Sequence, residues 1–362
     1  MNGQHAGSGS ALPPLSVLDT VPVGPGIDLS AALDGSLCLA RTADSLGFRR
    51  LWIAEHHASA DSGCGTPAVL IARVASVATR MRVGAGGVML PNHAPLVVAE
   101  EFRMLAALYP DRIDLGLGRA KAVDDALVPL LRRADADYGA YSSQIRELQT
   151  CLSGRIPGHH ANGSTRMPPV APPPLYILGS GAGSATLAGA LGLPFAYAHF
   201  QNPAGTANAI SSYRSAFVPS DACAVPFVIL SVRVVGRTSE SEASTAAVTA
   251  SAIRLRQTAA DRSDLDVAVA VLQDTSLTDL EHRLAQSHLA QSSVFVGNPQ
   301  CLAASLSPLT REVQPDELMA LPFESDPAGR IDTIGALAAA TNHVPRFSAP
   351  LPSQRRRPSE LK

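Results

Sequence analysis

The sequence predicts a parallel (βα)8 barrel, on three observations. Eight short runs rich in β-branched residues or leucine recur along the chain. Helical patterns separate them, as parallel strands joined by crossover helices require. The chain has 362 residues, enough for one such barrel, which takes about 250 residues or more. An open doubly wound sheet is the alternative arrangement of the same units.

The runs are Leu15 to Val21, Arg50 to Ala54, Met81 to Met89, Arg112 to Leu117, Leu175 to Leu178, Phe195 to Ala198, Phe227 to Val235 and Glu317 to Pro322. Among the helices expected between them are Ser30 to Leu46, Pro67 to Ala78, Ala94 to Leu108 and Ser184 to Leu191. Gly47 and Gly192 follow two of these, where a left-handed residue ends a helix. Two stretches fall outside the repeat. A proline-rich loop, Pro157 to Pro174, joins the fourth unit to the fifth strand. An Ala- and Ser-rich section between Gly236 and Asp316 reads as extra helices, opened by a capping box at Ser239 and Glu242. Both insertions are expected to cover one barrel end. Met1 to Pro14 is small and polar, and Pro345 to Lys362 is rich in Pro, Ser and Arg. The folded domain is therefore expected at residues 15–344, between disordered tails.

With 46% hydrophobic and 17% charged residues, the composition is that of a globular protein. A net charge of −2 gives no field that would gather nucleic acid or an anionic membrane. The first residues lack a basic start and an apolar core, and no apolar stretch reaches the ~18 residues of a membrane span, so a cytoplasmic protein is expected. Five scattered cysteines without a C-x-x-C read as reduced thiols, not as a disulfide framework or a zinc ribbon.

In a parallel barrel, reactive groups gather where strands end and loops begin. The second run ends L-W-I-A-E-H-H, which puts Glu55, His56 and His57 at the barrel mouth. An imidazole changes charge near neutral pH, and a carboxylate beside it could orient it or stabilise its cation. Neighbours on a strand face opposite ways, so at most one of His56 and His57 points inward. A structural histidine is the plain alternative. A metal site is the rival reading, but no H-x-x-x-H or paired cysteine supports it, and no metal is expected. The third run carries Gly84, Gly86 and Gly87. Glycine in a strand leaves room for a flat ligand against the backbone, or simply marks a bulge.

The fourth run ends D-L-G-L-G-R, with Arg119 just beyond Gly118. A guanidinium there suits a phosphate, because its planar fork binds two oxygens at once, although alone it would be an ordinary surface ion-pair residue. After the fifth run comes L-Y-I-L-G-S-G-A-G-S-A, a turn of small residues leading into a helix. Backbone N–H groups at the positive helix end, with the hydroxyls of Ser180 and Ser184, make a phosphate cradle. A dinucleotide fold competes, since Gly179, Gly181 and Gly183 mimic its fingerprint. It would want an acidic residue after the next strand, and P-F-A-Y-A-H-F-Q-N-P has none. No lysine follows the glycines, so the nucleotide-triphosphate loop pattern fails as well. A mononucleotide phosphate is favoured.

In order, E-H-H, V-G-A-G-G-V-M-L-P-N-H, Y-P-D-R-I-D-L-G-L-G-R-A and G-S-G-A-G-S-A resemble the bacterial luciferase-like flavin-dependent monooxygenases, especially their single-chain group. The likeness runs from Leu15 to Asp316. It implies a barrel that holds FMN at its C-terminal mouth, in a homodimer, with reduced FMN supplied by a separate NAD(P)H:flavin reductase. The reaction it implies is oxygenation of a small organic substrate, an aldehyde or a secondary metabolite, by O2 through a peroxide at the flavin C4a carbon. A deazaflavin-dependent oxidoreductase and a non-catalytic flavin-binding protein are the alternatives. By the same resemblance His56 matches the catalytic histidine and Glu55 the acid before it. Gly86 and Gly87 match a non-proline cis peptide beneath the flavin. Arg119, beside Gly118, matches the phosphate arginine, and Ser180, Gly181, Ala182 and Ser184 match the cradle. Two departures stand out. Where many members continue G-R-A-P-G, this chain has Lys121, Ala122 and Val123 after Ala120. Ser180 also replaces an acidic cradle residue of luciferase itself, which removes a negative charge near the phosphate.

Overall fold

The computed structural model describes residues 12–24, 26–59, 61–120, 125–131, 138–156, 167–260 and 278–341. Most of both expected tails lies outside the described residues, as do much of the proline-rich loop and the Lys121 to Val123 departure.

The first six strands are β1 (Leu15–Asp19), β2 (Arg50–Ile53), β3 (Arg82–Met89), β4 (Ile113–Gly118), β5 (Leu175–Gly179) and β6 (Phe195–Ala198). They are followed by β7 (Val228–Gly236), β8 (Val294–Gly297) and β9 (Glu317–Pro322). All pair in parallel, in the order β6-β5-β4-β3-β2-β1-β9-β7-β8, and a further β6–β7 pairing closes the ring. The barrel thus has eight staves, and the open-sheet alternative is set aside. Each foreseen run lies within two residues of its strand at either end.

The ninth strand, β8, was not foreseen. It falls in the section read as helices and pairs only with the far end of β7, from Arg233↔Val294 to Gly236↔Gly297. That part of β7 runs past the last residue of β6, whose final pair is Ala198↔Ser231. Its run V-F-V-G is as short as those of β2 and β6 but sits inside an Ala- and Ser-rich helical section, outside the strand-helix repeat that marked the others.

Ten helices lie among the described residues: α1 (Leu29–Ser45), α2 (Pro67–Val77), α3 (Pro95–Leu108), α4 (Tyr138–Leu152), α5 (Ala182–Ala190), α6 (Thr206–Ala216), α7 (Glu240–Ala260), α8 (Asp279–Gln291), α9 (Pro299–Val313) and α10 (Pro327–Ala340). Local chemistry sets their ends. Asp28 caps α1 by accepting the Ala31 N–H at 2.8 Å. Proline opens α2 and α3, where its missing N–H costs nothing. Gly47 and Gly192 take the expected left-handed conformation, with φ of 80° and 60°. Ser239 accepts the Glu242 N–H at 3.3 Å at the foreseen start of α7. No helix among the described residues is long and apolar enough to cross a membrane.

Two apolar cores follow from the alternation of strand residues. The larger lies between the strands and the helices and takes Leu51, Ile53, Val83, Leu115 and Ile177. The smaller fills the barrel interior with Leu18, Trp52, Tyr176, Met319 and Leu321, and the Trp52 and Tyr176 rings meet edge to face at 4.9 Å. Beneath it, at the start of the strands, lies a buried charge layer. Arg50 donates from Nε to Glu317 at 2.7 Å and from Nη1 to Asp114 and the Tyr176 hydroxyl, each at 2.7 Å. Arg82 also pairs with Asp114 at 2.7 Å. Two guanidiniums thus balance two carboxylates with their hydrogen bonds met, the condition under which buried charge is tolerated. This plug closes the bottom of the barrel, and a cavity lies at the C-terminal mouth.

Candidate active site

The phase of β2 decides which histidine faces the interior. Arg50 and Trp52 point into the barrel, while Leu51 and Ile53 point to the helices. Continuing this alternation puts Ala54 and His56 inside and Glu55 and His57 outside. His56 accordingly lines the cavity at the barrel mouth. Its Nδ1 lies 3.4 Å from the Ser62 hydroxyl, which itself donates to the Thr20 carbonyl at 2.6 Å. With the Ser62 proton so engaged, its oxygen is left to accept from Nδ1–H. That tautomer, inferred from the network, turns an Nε2 lone pair toward the cavity. Burial holds the His56 pKa below its ordinary value, despite the opposing charges of Asp61 and Glu55, so the ring is neutral near pH 7.

Glu55 acts on His56 through its charge, which favours the cation, while its hydrogen bonds go to other residues. Its side chain is fully buried behind β2, where one oxygen, Oε1, meets His57 Nε2 at 2.6 Å and His93 Nε2 at 2.8 Å. The other accepts the Met89 N–H at 3.0 Å. Burial alone would raise the Glu55 pKa, but the bonds from His93, Met89 and His57 outweigh it and hold the carboxylate ionised. The bond to Glu55 correspondingly raises the pKa of His93. One atom from each of these three residues lies within 4.8 Å of the others. Two imidazoles and a carboxylate are a donor set that a divalent cation could use, but the distances here are those of hydrogen bonds. The cluster ties the end of β2 to the loop after β3.

The cavity at the mouth measures about 510 Å³, within the range of small-ligand sites. Its floor is the upper edge of the interior core, including Leu18, Trp52 and Met319. One wall is β3, where the register with β4 shifts between Ala85 and Val88 and the Gly86–Gly87 peptide is cis. Both glycines are required by close approach. A Cβ on Gly86 would lie 2.7 Å from Trp52 Cβ, and one on Gly87 would lie 2.7 Å from the Gly116 carbonyl oxygen. The bulge and the flat cavity wall are therefore one feature. Gly86 lines the cavity, whereas Gly87 packs against β4 behind it.

Around the rim from β3, Gly118, Arg119, Ser180, Gly181 and Ser184 line one side of the cavity. The Arg119 guanidinium lies 4.1 Å above the centre of the Tyr138 ring, which fixes its plane. Gly181 precedes α5 without a side-chain cap, so the first N–H groups of that helix have no partner within the helix. A Cβ at Gly181 would meet nothing within 4 Å, so the cradle is open in front of it. Ala182 does not line the cavity and can contribute only its backbone.

Comparison with known proteins fits this geometry. The sequence model of the luciferase-like monooxygenases matches residues 14–308. The chain belongs to the luciferase-like monooxygenase family.

It is therefore an oxidoreductase of the monooxygenase type. A luciferase-like monooxygenase of Escherichia coli is 39% identical over 232 residues, covering 63% of this chain and 68% of that protein. The crystal structure of apo-MsnO8 is 36% identical, with a TM-score of 0.78, over 92% of this chain and 99% of that one. At 15% identity and a TM-score of 0.70, the fold is shared with the oxygenating constituent of the Pseudomonas putida 3,6-diketocamphane monooxygenase, solved in complex with FMN. That alignment covers 91% of this chain and 98% of the other.

In this luciferase-like chain, the sequence reading missed two cavity residues on the far side. Arg233 of β7 and Arg254 of α7 both line it. Ile229, Ser231 and Arg233 alternate into the barrel, and a lone charge at an inward position of the apolar run V-I-L-S-V-R-V-V was the available signal.

Proposed function

We propose that the cavity binds FMN, with its phosphate at Arg119 and the start of α5. The enzyme uses reduced FMN from a separate reductase, together with O2, to oxygenate a small organic substrate. The observation that carries this reading is one cavity with an anion cradle on one rim and a half-buried neutral imidazole on another. The donor set suits the phosphate: a guanidinium, the Ser180 hydroxyl and uncapped helix N–H groups, beside a glycine whose missing Cβ leaves space, while the Ser184 hydroxyl donates to the Gly181 carbonyl and shapes the turn. The smooth β3 wall at Gly86 suits a flat ring. A homodimer belongs to the same reading.

Bound flavin supplies the electrons that activate O2. The residues of this chain do the rest. Arg119, Ser180 and the first N–H groups of α5 hold the anionic tail, and Ser184 steadies the turn that presents them. Leu18, Trp52, Leu178 and Met319 line the apolar depth of the cavity and keep water from it. His56 accepts or returns a proton at Nε2, while Ser62 fixes its Nδ1–H. Glu55 acts one step removed, by anchoring the end of β2 on which His56 sits.

The test uses reduced FMN, 18O2 and a panel of aldehydes and polycyclic aromatic compounds, with products read by mass spectrometry. The wild type should place one labelled oxygen in at least one compound. His56→Ala should lower that rate by about 100-fold or more, as expected for loss of a proton-transferring group, with FMN affinity kept within a few-fold. Unchanged turnover in this variant would remove the role assigned to His56.

A further inference from the structure

Among the described residues, three arginines and one carboxylate, Asp61, line the cavity. The phosphate assigned above accounts for Arg119. The Asp61 charge acts on Arg254, which leaves Arg233 on β7, three staves round the ring from β4, the strand that leads to Arg119. β7, which carries Arg233, is four staves round the ring from β3, which carries the glycine wall. We infer that Arg233 and Arg254 form a second anion-recognising end of the cavity, which selects a substrate with an oxyanion head group, a carboxylate or a sulfonate, on an apolar body.

The geometry points to an empty claim on negative charge. Arg233 stands between the Phe200 and Phe323 rings, 5.1 and 5.7 Å from their centres, which fixes its guanidinium plane. Its Nε is buried and has no hydrogen-bond partner. Its Nη1 makes only a long contact of 3.4 Å to the Ser292 carbonyl. Among the described residues no carboxylate pairs with it. Arg254 lies over the other side of this corner, 4.4 Å from the centre of Phe323, and donates to the Phe323 carbonyl at 2.9 Å. Burial and the neighbouring Arg254 charge together bring the Arg233 pKa down to about 10, so the arginine stays charged at neutral pH without compensation. A buried donor left in that state is costly, and a ligand oxyanion satisfies it. Between this corner and the β3 wall the floor of the cavity is apolar, with Leu18, Trp52, Met319 and Leu321, which suits an alkyl or ring body.

This inference rests on the flavin reading, since it assigns to substrate what the flavin phosphate leaves over. Calorimetric titration of FMN-saturated protein with octanoate, octane-1-sulfonate and the uncharged octanamide tests it. Wild-type protein should bind at least one of the two anions about ten-fold or more tightly than the amide, and Arg233→Gln should remove that advantage. Arg254→Gln should do the same, and because it sits on a helix and not on the barrel wall it guards against misfolding of the first variant. A preference for octanoate or for the sulfonate distinguishes the two head groups. Equal binding of all three, no binding of either anion, or an anion advantage that survives both substitutions would overturn the inference. So would a large loss of FMN affinity in Arg233→Gln, which would give the arginine to the flavin. If FMN does not bind wild-type protein, the flavin reading fails separately, and the same titration on flavin-free Arg119→Gln protein still reads the Arg233 corner.

Discussion

Glu55 and His56 are adjacent in sequence and face opposite sides of the barrel wall. His56 opens onto the cavity, while Glu55 is fully buried behind β2 in bonds of 2.6 and 2.8 Å to His57 and His93. The two residues therefore do different work, and separate measurements resolve them.

Replacing Glu55 should act through stability and through His93. The lowered Glu55 pKa means that its contribution is present above the ordinary value of 4.5 and is lost as pH falls through the lowered one. The raised His93 pKa means that its contribution is full below 6.5 and fades as pH rises through the raised value. The pair is strongest between those limits. Glu55→Gln should cost about 1–3 kcal/mol there and less at alkaline pH, read by denaturant unfolding. In the same variant the NMR titration midpoint of His93 should drop.

His56 should titrate the other way. Its depressed pKa places the NMR midpoint below 6.5, and oxygenation should fall as acid protonates Nε2. Ser62→Ala, which removes the acceptor from Nδ1–H, should lower turnover without moving the His93 midpoint. A turnover profile that follows His93 instead of His56 would contradict the assignment.

The charge layer under the core makes a prediction for the fold. Arg50→Gln leaves Glu317 and half of Asp114 without their buried partner, and should destabilise by about 3–5 kcal/mol in denaturant unfolding. A loss under about 1 kcal/mol would mean that the layer is not held by this residue.

Glycines of the wall and of the cradle should behave differently. Gly87→Ala drives a Cβ to 2.7 Å from the Gly116 carbonyl oxygen and should cost about 1–3 kcal/mol of stability. Gly181→Ala meets nothing within 4 Å and should leave stability within about 0.5 kcal/mol. It should nevertheless weaken FMN binding, because the added methyl stands in the proposed phosphate cradle.

The barrel was legible because strands covered on both faces read as short apolar runs, each punctuated by its own helix. β8 was not: V-F-V-G followed by Asn298 and Pro299 carries a strand signal, but it lies within the section read as helices, and its pairing with Arg233 to Gly236 is what defines it. The motif strings located the mouth, and the backbone fit of Gly86 and Gly87 agreed with the sequence reading of a strand that needs room. Period-two alternation limited the inward histidines to one, but its phase depended on Arg50 and Trp52 lying inside, which a short run of mixed character does not reveal. The partners of Glu55 were hidden for a related reason, since His93 is brought to it by the β3 crossover, 38 residues away. Arg254 was out of reach because only the packing of α7 brings it over the mouth.

The most direct test of the central claim compares the affinities of FMN and riboflavin, which differ by the phosphate, for wild-type protein and Arg119→Gln. FMN should bind the wild type about ten-fold or more tightly than riboflavin, and the substitution should erase that difference while leaving riboflavin binding unchanged. Equal affinities in the wild type, or a difference that persists without the guanidinium, would contradict a flavin phosphate held at Arg119.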